Sequence, residues 1–148
     1  MSELYEQLCD FLDASGLEPE RQDGQPVQFW YKEERYYLRF LAQRQAIRIF
    51  HPRVWHVSSH LEFGVATFVA NDMNQDSFAT KCFVNNDDHH VYTAVEIFAP
   101  DATTVETSFF NYMNALSASI VEFRDRTERS MQEEENQEPP SPQTSLDS

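Results

Sequence analysis

The chain has 148 residues, of which 41% are hydrophobic and 24% are charged, a composition typical of one globular domain. Eleven Lys and Arg against 25 Asp and Glu give a formal net charge of −14, which disfavours non-specific attachment to nucleic acid or to an anionic membrane. Composition and charge therefore exclude a wholly disordered chain and a general polyanion binder.

The first predicted element is a helix over residues 3–15, because apolar residues recur there at helical spacing. Ser2 is a candidate cap at its start, and Gly16 stands where a left-handed residue commonly ends a helix. Polar residues with Pro and Gly then predict a connection over residues 17–26.

Three strands are predicted next, because apolar and polar residues begin to alternate. The first two, over 27–32 and 35–40, form a hairpin, and a third lies around 46–50. Pro52 interrupts this pattern, so residues 54–57 are either a continuation past a bend or a separate edge piece.

A second helix over residues 60–73 is predicted from Ser59 and Glu62, which have the spacing of a capping box. Two more alternating runs, over 77–84 and 91–98, predict a second hairpin.

A third helix follows Pro100, with Thr104 or Asp101 as its cap. Its apolar positions give the longest helical pattern in the sequence: Val105, Phe109, Met113, Leu116, Ile120 and Phe123. Residues 132–148 are acidic, contain Pro and have no aromatic or basic side chain, which predicts a disordered tail. The sequence thus predicts one α+β domain over 1–131, an antiparallel sheet with packed helices in the order α-β-β-β-α-β-β-α.

The two cysteines, Cys9 and Cys82, lie among apolar residues and are too few for a disulfide framework. The first residues lack the pattern of a signal peptide, and the longest uncharged apolar stretch, 63–70, is far too short to span a bilayer. We therefore expect a cytoplasmic protein that does not contact the membrane.

The histidines and glycines do not form the sequence motifs of metal or catalytic sites. His51, His56 and His60 lie close in sequence and His89 precedes His90, but the His-Glu-x-x-His pattern of a helical zinc site is missing. The chain has three glycines, too few for a phosphate-binding loop, and has no Gly-x-Ser-x-Gly. We expect a protein without catalytic activity, metal or cofactor.

The three predicted strands between residues 27 and 50 form a basic region within an acidic chain. Residues 32–53 carry six basic and two acidic side chains, a charge of +4 in a chain of −14. If Tyr36, Leu38 and Ile47 face the core, alternation places aromatic and basic side chains together on the opposite face. These candidate partner-binding residues are Trp30, Tyr37, Arg39, Arg48 and Phe50.

This aromatic and basic face has three interpretations. It binds a polypeptide segment, because aromatic residues and arginine supply most binding energy at interfaces, or it binds single-stranded nucleic acid, which is read by similar surfaces. Alternatively, a helix covers it and the aromatic side chains form a second core layer. A small-molecule-binding or catalytic pocket beneath this face is a weaker alternative.

The second helix has more apolar surface than one sheet contact needs. Leu61, Val65 and Phe68 belong to an apolar stripe, and Phe63 lies off it. A second copy of the chain would cover this excess. We therefore predict a homodimer interface formed by Leu61, Phe63, Val65 and Phe68.

A family resemblance follows from residues 70–84. The helix end Ala70-Asn71-x-x-Asn74 is followed by the strand Phe78-Ala79-Thr80-Lys81-Cys82-Phe83-Val84, and then by a second strand and a long amphipathic helix ending near Phe123-Arg124. In this pattern, over about residues 3–130, the chain resembles the YbjN family, which belongs with the type III secretion chaperone-like folds.

The resemblance implies an α+β fold and no reaction. YbjN-like proteins are described as sensory-transduction regulators or chaperone-like proteins, and secretion chaperones are acidic homodimers that bind unfolded segments of effectors. It therefore implies a chaperone-like or regulatory homodimer that binds a protein or peptide client. Binding of single-stranded nucleic acid stays the alternative from the residues themselves, although the net charge makes nucleic acid the less favoured partner.

Overall fold

The computed structural model describes residues 2–137. Its helices are α1 (Ser2–Ala14), α2 (His60–Asp76) and α3 (Ala102–Gln137), and its strands are β1 (Val27–Tyr31), β2 (Glu34–Leu41), β3 (Ala46–His56), β4 (Lys81–Val84) and β5 (His90–Phe98). The five strands form one antiparallel sheet in the order β1-β2-β3-β5-β4. The predicted fold class and element order are confirmed.

Each helix has an identifiable end signal. Gly16 has a φ of 77° and donates to the carbonyl of Asp13, while Leu17 donates to Leu12, which is the hydrogen-bond pattern of a Schellman motif. At the other two helices, Ser59 accepts from the backbone N–H of Glu62 and Asp101 accepts from that of Thr104. Asp101 is therefore the cap of α3, whereas the side chain of Ser2 lies outside the described residues.

The third strand is longer than the alternation indicated. Residues 54–56 continue β3, and its pairing with β5 shifts between His51 and Trp55. Pro52 lies within this irregularity, where a residue without a backbone N–H does not interrupt a regular ladder. The alternative of a separate edge piece is therefore wrong.

The fourth strand is shorter than predicted, because residues 77–80 are not extended into the sheet. Ala79 has a φ of 73°, which is incompatible with a strand. Beside it, the Asn74 side chain accepts from the backbone N–H of Cys82 at 2.9 Å and donates to the Cys82 carbonyl at 2.9 Å. The end of α2 is thereby joined to β4.

Both edges of the sheet have hydrogen-bond partners. At β1, Glu20 and Gln28 exchange two backbone hydrogen bonds and Trp30 donates to the carbonyl of Leu17. At β4, Asn74 pairs with both backbone groups of Cys82. Paired edges resist the addition of another strand.

The hydrophobic core lies between one face of the sheet and the three helices. The six predicted apolar positions of α3 are all buried, as predicted. On α2 the buried residues are Ala66, Val69, Ala70 and Met73, whereas Leu61 and Phe68, two of the residues predicted at the dimer interface, are exposed. Small side chains on the inner side of α2 allow its backbone to approach its neighbours closely.

The third helix extends past the predicted start of the tail. It runs to Gln137, so residues 132–137, which we predicted to be disordered, are helical. Gln and Glu are favourable in helices, and a helix already formed upstream propagates into such residues without new nucleation. Residues 138–148 of the predicted tail lie outside the described residues.

A polar network links the β3 irregularity to α3. Arg124 donates to the carbonyls of Val54 at 2.9 Å and Arg53 at 3.3 Å, and to the Glu34 carboxylate at 2.7 Å. His51 is buried, with Nδ1 2.7 Å from the carbonyl of Arg35 and Nε2 3.3 Å from Glu34. These contacts supply partners for carbonyls that the irregular pairing leaves outside the ladder.

Candidate partner-binding site

The candidate site is the face of the sheet opposite the helices, which we call the open face. Ile47 and Ile49 point into the core beneath the helices, whereas Phe50, next along β3, lies outside that core. Within residues 2–137, all three helices pack on the core side. The open face comprises Gln28, Trp30, Arg35, Tyr37, Arg39, Ala46, Arg48, Phe50, His56, Lys81, Phe83, His90, Tyr92, Ala94, Glu96 and Phe98.

Four aromatic rings cross the open face, one on each of β2, β3, β5 and β4. We call them the aromatic row: Tyr37, Phe50, Tyr92 and Phe83. Successive ring centroids are 5.5, 6.1 and 5.4 Å apart and successive planes meet at 19°, 11° and 27°. Because the rings are nearly parallel and offset, each partly covers a face of its neighbour.

Cationic side chains lie over the rings. The guanidinium carbon of Arg39 is 5.9 Å from the Phe50 centroid, and Lys81 Nζ is 5.8 Å from that of Phe83. Outside the row, the guanidinium carbon of Arg35 on β2 lies 4.8 Å from the ring centroid of Trp30 on β1. These distances are within the range of cation–π attraction. The three cationic side chains therefore cover part of the faces of the rings they contact.

A line of charges runs beside the aromatic row, and we call it the charged band: Arg39, Arg48 and Glu96, which are in register across β2, β3 and β5. Glu96 accepts from Arg48 Nε at 2.8 Å and from Lys81 Nζ at 3.0 Å. These hydrogen bonds lower the pKa of the Glu96 carboxyl. Among the described residues, Arg39 has no carboxylate partner, so the β2 end of the band carries uncompensated positive charge.

Tyr92 is held at the other side of the row by the turn before β5. Its hydroxyl donates to the Asp88 carboxylate at 2.7 Å. Burial, and then this hydrogen bond, raise the pKa of Tyr92 to about 12. The ring is thus fixed in one orientation and stays uncharged at neutral pH.

The five predicted partner-binding residues all lie on the open face, and Tyr37 and Phe50 are directly paired across β2 and β3. Trp30 is 40% exposed, whereas Phe50 is 9% exposed, since its neighbours in the row and Arg39 cover it. Arg48 is paired with Glu96, which Lys81 also contacts.

Sequence reasoning missed Phe83, Tyr92 and Lys81. Alternation in the second hairpin places all three on one face. Finding that this is the face of Tyr37 and Phe50 requires the pairing of β3 with β5, two strands separated by α2 in the chain.

The four residues predicted at the dimer interface do not form one surface. A groove of about 430 Å³ between α2 and the end of α3 includes Leu61, Val65 and Phe68, and Phe68 is 66% exposed. Phe63 is 46% exposed, but a spacing of five residues places it about 140° around the helix from Phe68. It therefore lies on a different flank of α2.

The histidines fall into separate places. His51 is in the buried network, whereas the His56 and His90 rings face each other on the open face with centroids 4.7 Å apart. No group of three or more His, Cys, Asp or Glu side chains within residues 2–137 has the arrangement of a metal site. Cys9 and Cys82 are buried and unpaired thiols, and burial raises the pKa of Cys82 to about 12.

None of the described helices is both long and apolar enough to span a membrane.

The fold and the open face define a two-layer α+β protein, in which three helices cover one side of a five-stranded antiparallel sheet. No protein-family model and no curated protein matches this sequence. Among solved structures, the fold is similar to that of YbjN from E. coli, described as a candidate transcription regulator, with a TM-score of 0.65 and 11% identity over 85% of this chain and 93% of YbjN.

The fold is also similar to that of SycH, a type III secretion chaperone of Yersinia pestis solved in complex with a stable fragment of YscM2. Here the TM-score is 0.51, with 13% identity over 78% of this chain and 95% of SycH. The fold predicted from the family resemblance is thus confirmed. At these identities the likeness concerns the fold.

Proposed function

We propose that this chain is a non-enzymatic, chaperone-like binding protein that captures a polypeptide segment on its open face. The observation that carries the proposal is the aromatic row, a line of four rings on a sheet face without a covering helix among residues 2–137. Rigid aromatic side chains flanked by arginine are the groups that contribute most to protein interfaces. Tyr37, Phe83 and Tyr92 are half-buried and Trp30 beside them is exposed, so the open face presents aromatic surface that a partner can cover.

Two further observations support a polypeptide partner. SycH, which shares the fold, was solved with a fragment of another protein. On the open face itself, Glu96 and Tyr92 are held in an ion pair and a hydrogen bond, an arrangement that suits a fixed binding surface better than proton transfer.

Single-stranded nucleic acid is less well supported. Its bases stack on free aromatic faces, and in the aromatic row each ring partly covers the next while Arg39 and Lys81 lie over two of them. The net charge of −14 also repels a polyanion at long range.

The proposal is tested by affinity capture from lysate, with and without nuclease, followed by mass spectrometry and by titration of the purified candidate client. We expect a client that survives nuclease and moderate salt and is lost when Trp30→Ala and Tyr37→Ala are combined. Phe78→Ala is the control, because Phe78 is 89% exposed but lies outside the open face. Capture that the double variant retains, or that nuclease abolishes, contradicts the proposal.

We also propose that the chain forms a homodimer through the groove between α2 and α3. Leu61, Val65 and Phe68 give this groove an apolar wall, and Glu133 and Glu134 of α3 line it as well. A second copy placing its own α2 against this wall would remove the exposed Phe68 from water. Phe63, on the other flank, is outside this surface.

Light scattering at micromolar concentration tests the dimer. We expect twice the 17.3 kDa mass of one chain, reduced to the monomer mass by Phe68→Glu. Phe63→Glu is the matched variant and should split the dimer only if the interface extends to that flank. A monomer mass for the unmodified chain rules the dimer out.

A further inference from the structure

The following inference rests on the proposed function and specifies its client. We infer that the bound segment lies across the strands, with apolar side chains on the aromatic row and an acidic side chain against Arg39 at the β2 end.

The sheet edges argue that the segment crosses the sheet. A peptide that extends a sheet needs free backbone groups along an edge strand. At β1 these groups are bonded to Leu17 and Glu20, and at β4 both groups of Cys82 are bonded to Asn74. The face of the sheet is therefore the accessible surface.

The aromatic row sets the direction and length of the contact. Its rings lie on four adjacent strands, so at about 4.8 Å between strands the row extends roughly 14 Å. An extended chain rises about 3.3 Å per residue, so about four or five residues of a client match the row. Alternate side chains of such a segment would meet the row.

The charged band determines the end of the aromatic row at which an acidic side chain of the client binds. Arg48 and Lys81 share Glu96, so both cations on this side already have a carboxylate in contact. Arg39 has no carboxylate partner within residues 2–137, and it is an exposed residue whose guanidinium lies over Phe50. A client carboxylate at this end would gain both an ion pair and the hydrogen bonds of a guanidinium.

Fluorescence anisotropy with two labelled ten-residue peptides tests the inference. Both peptides contain one Phe and two Leu in a Ser and Gly background, and they differ at one position that is Glu in the first and Gln in the second. We expect the Glu peptide to bind about two- to fivefold more tightly at low salt, the range for an exposed ion pair. The preference should fade as salt rises.

Variants locate the preference. Arg39→Gln should bring the ratio of the two affinities to about one, and Arg129→Gln, the same charge change on α3, should preserve the ratio. Phe83→Ala, at the far end of the row, should weaken both peptides equally.

The outcomes separate this inference from the proposed function. If both peptides bind equally and both are lost in Tyr37→Ala, the open face binds polypeptides but Arg39 does not select acidic ones, and the inference is overturned. A preference that survives Arg39→Gln also overturns it. If neither peptide binds the unmodified chain, the inference and the proposed function both fail.

Discussion

On one face of the sheet Tyr36 and Ile47 are sealed beneath three helices, while on the other face Tyr37 and Phe50 stand in a row without a helix over them among residues 2–137. The two sets of side chains alternate along the same strands, so backbone and neighbours are shared. What differs is the chemistry: the covered face is largely aliphatic and aromatic, and the open face combines rings with fixed charges. The covered face stabilises the fold, and the open face is the surface that we propose for recognition.

The adjacent residues Tyr36 and Tyr37 give the sharpest test of this contrast. Tyr36 is fully buried, so Tyr36→Ala should lower the free energy of unfolding by about 3–5 kcal/mol. Tyr37→Ala removes a half-buried ring at the surface and should cost about 1 kcal/mol. Urea denaturation measures both, and similar losses would show that the open face is part of the core.

The network at the β3 irregularity should give the next largest effect. Arg124→Ala leaves the carbonyl of Val54 and the carboxylate of Glu34 without their donor, which should cost about 1–3 kcal/mol. Arg129→Ala, five residues further along the same helix, is the control. A thermal unfolding curve unchanged by Arg124→Ala would mean that the network does not stabilise the covered face.

Loss of the Asn74 side chain at the β4 edge should change both the stability and the association of the chain. Asn74→Ala removes both hydrogen bonds to Cys82 and should cost about 1–2 kcal/mol. The unpaired edge should also promote concentration-dependent association, seen by light scattering. Asn71→Ala on the same helix is the control, and equal behaviour of the two variants would argue against an edge role for Asn74.

The smallest effect concerns the charge on the open face. Hydrogen bonds from Arg48 and Lys81 lower the pKa of Glu96 below its usual value of 4.5. The ionised carboxylate therefore stabilises the folded chain fully at pH values above 4.5. This stabilisation is lost as the pH falls through the lowered pKa. The pair is partly exposed, so it is worth less than about 1 kcal/mol. Glu96→Gln should therefore be less stable than the unmodified chain at pH 7 and equal to it near pH 2, by urea denaturation at each pH. A constant difference would assign the effect to packing.

The spacing of apolar residues in the sequence was sufficient to predict much of this architecture. Residues with clear periodicity, such as Phe109 and Leu116 of α3, were placed on the correct face because every third or fourth position is apolar. The faces of β2 were also correct, since a period of two leaves no choice once Tyr36 is assigned to the core.

The pattern was insufficient where packing between distant elements decides. On α2 it does not indicate that the small residues Ala66 and Ala70 face the core. The aromatic row depends on the pairing of β3 with β5, and no local pattern contains that register. Pro52 was tolerated within β3 because the irregular pairing there leaves no regular ladder for it to interrupt.

The central claim is tested most directly by mapping the bound segment with amide NMR chemical shifts. Titrating the Glu-containing peptide into the labelled chain should perturb Tyr37, Phe50 and Tyr92, with the largest changes along the aromatic row. The residues of the α2 groove, including Phe68, should be unaffected. Perturbations confined to that groove, with the aromatic row unchanged, would contradict the account.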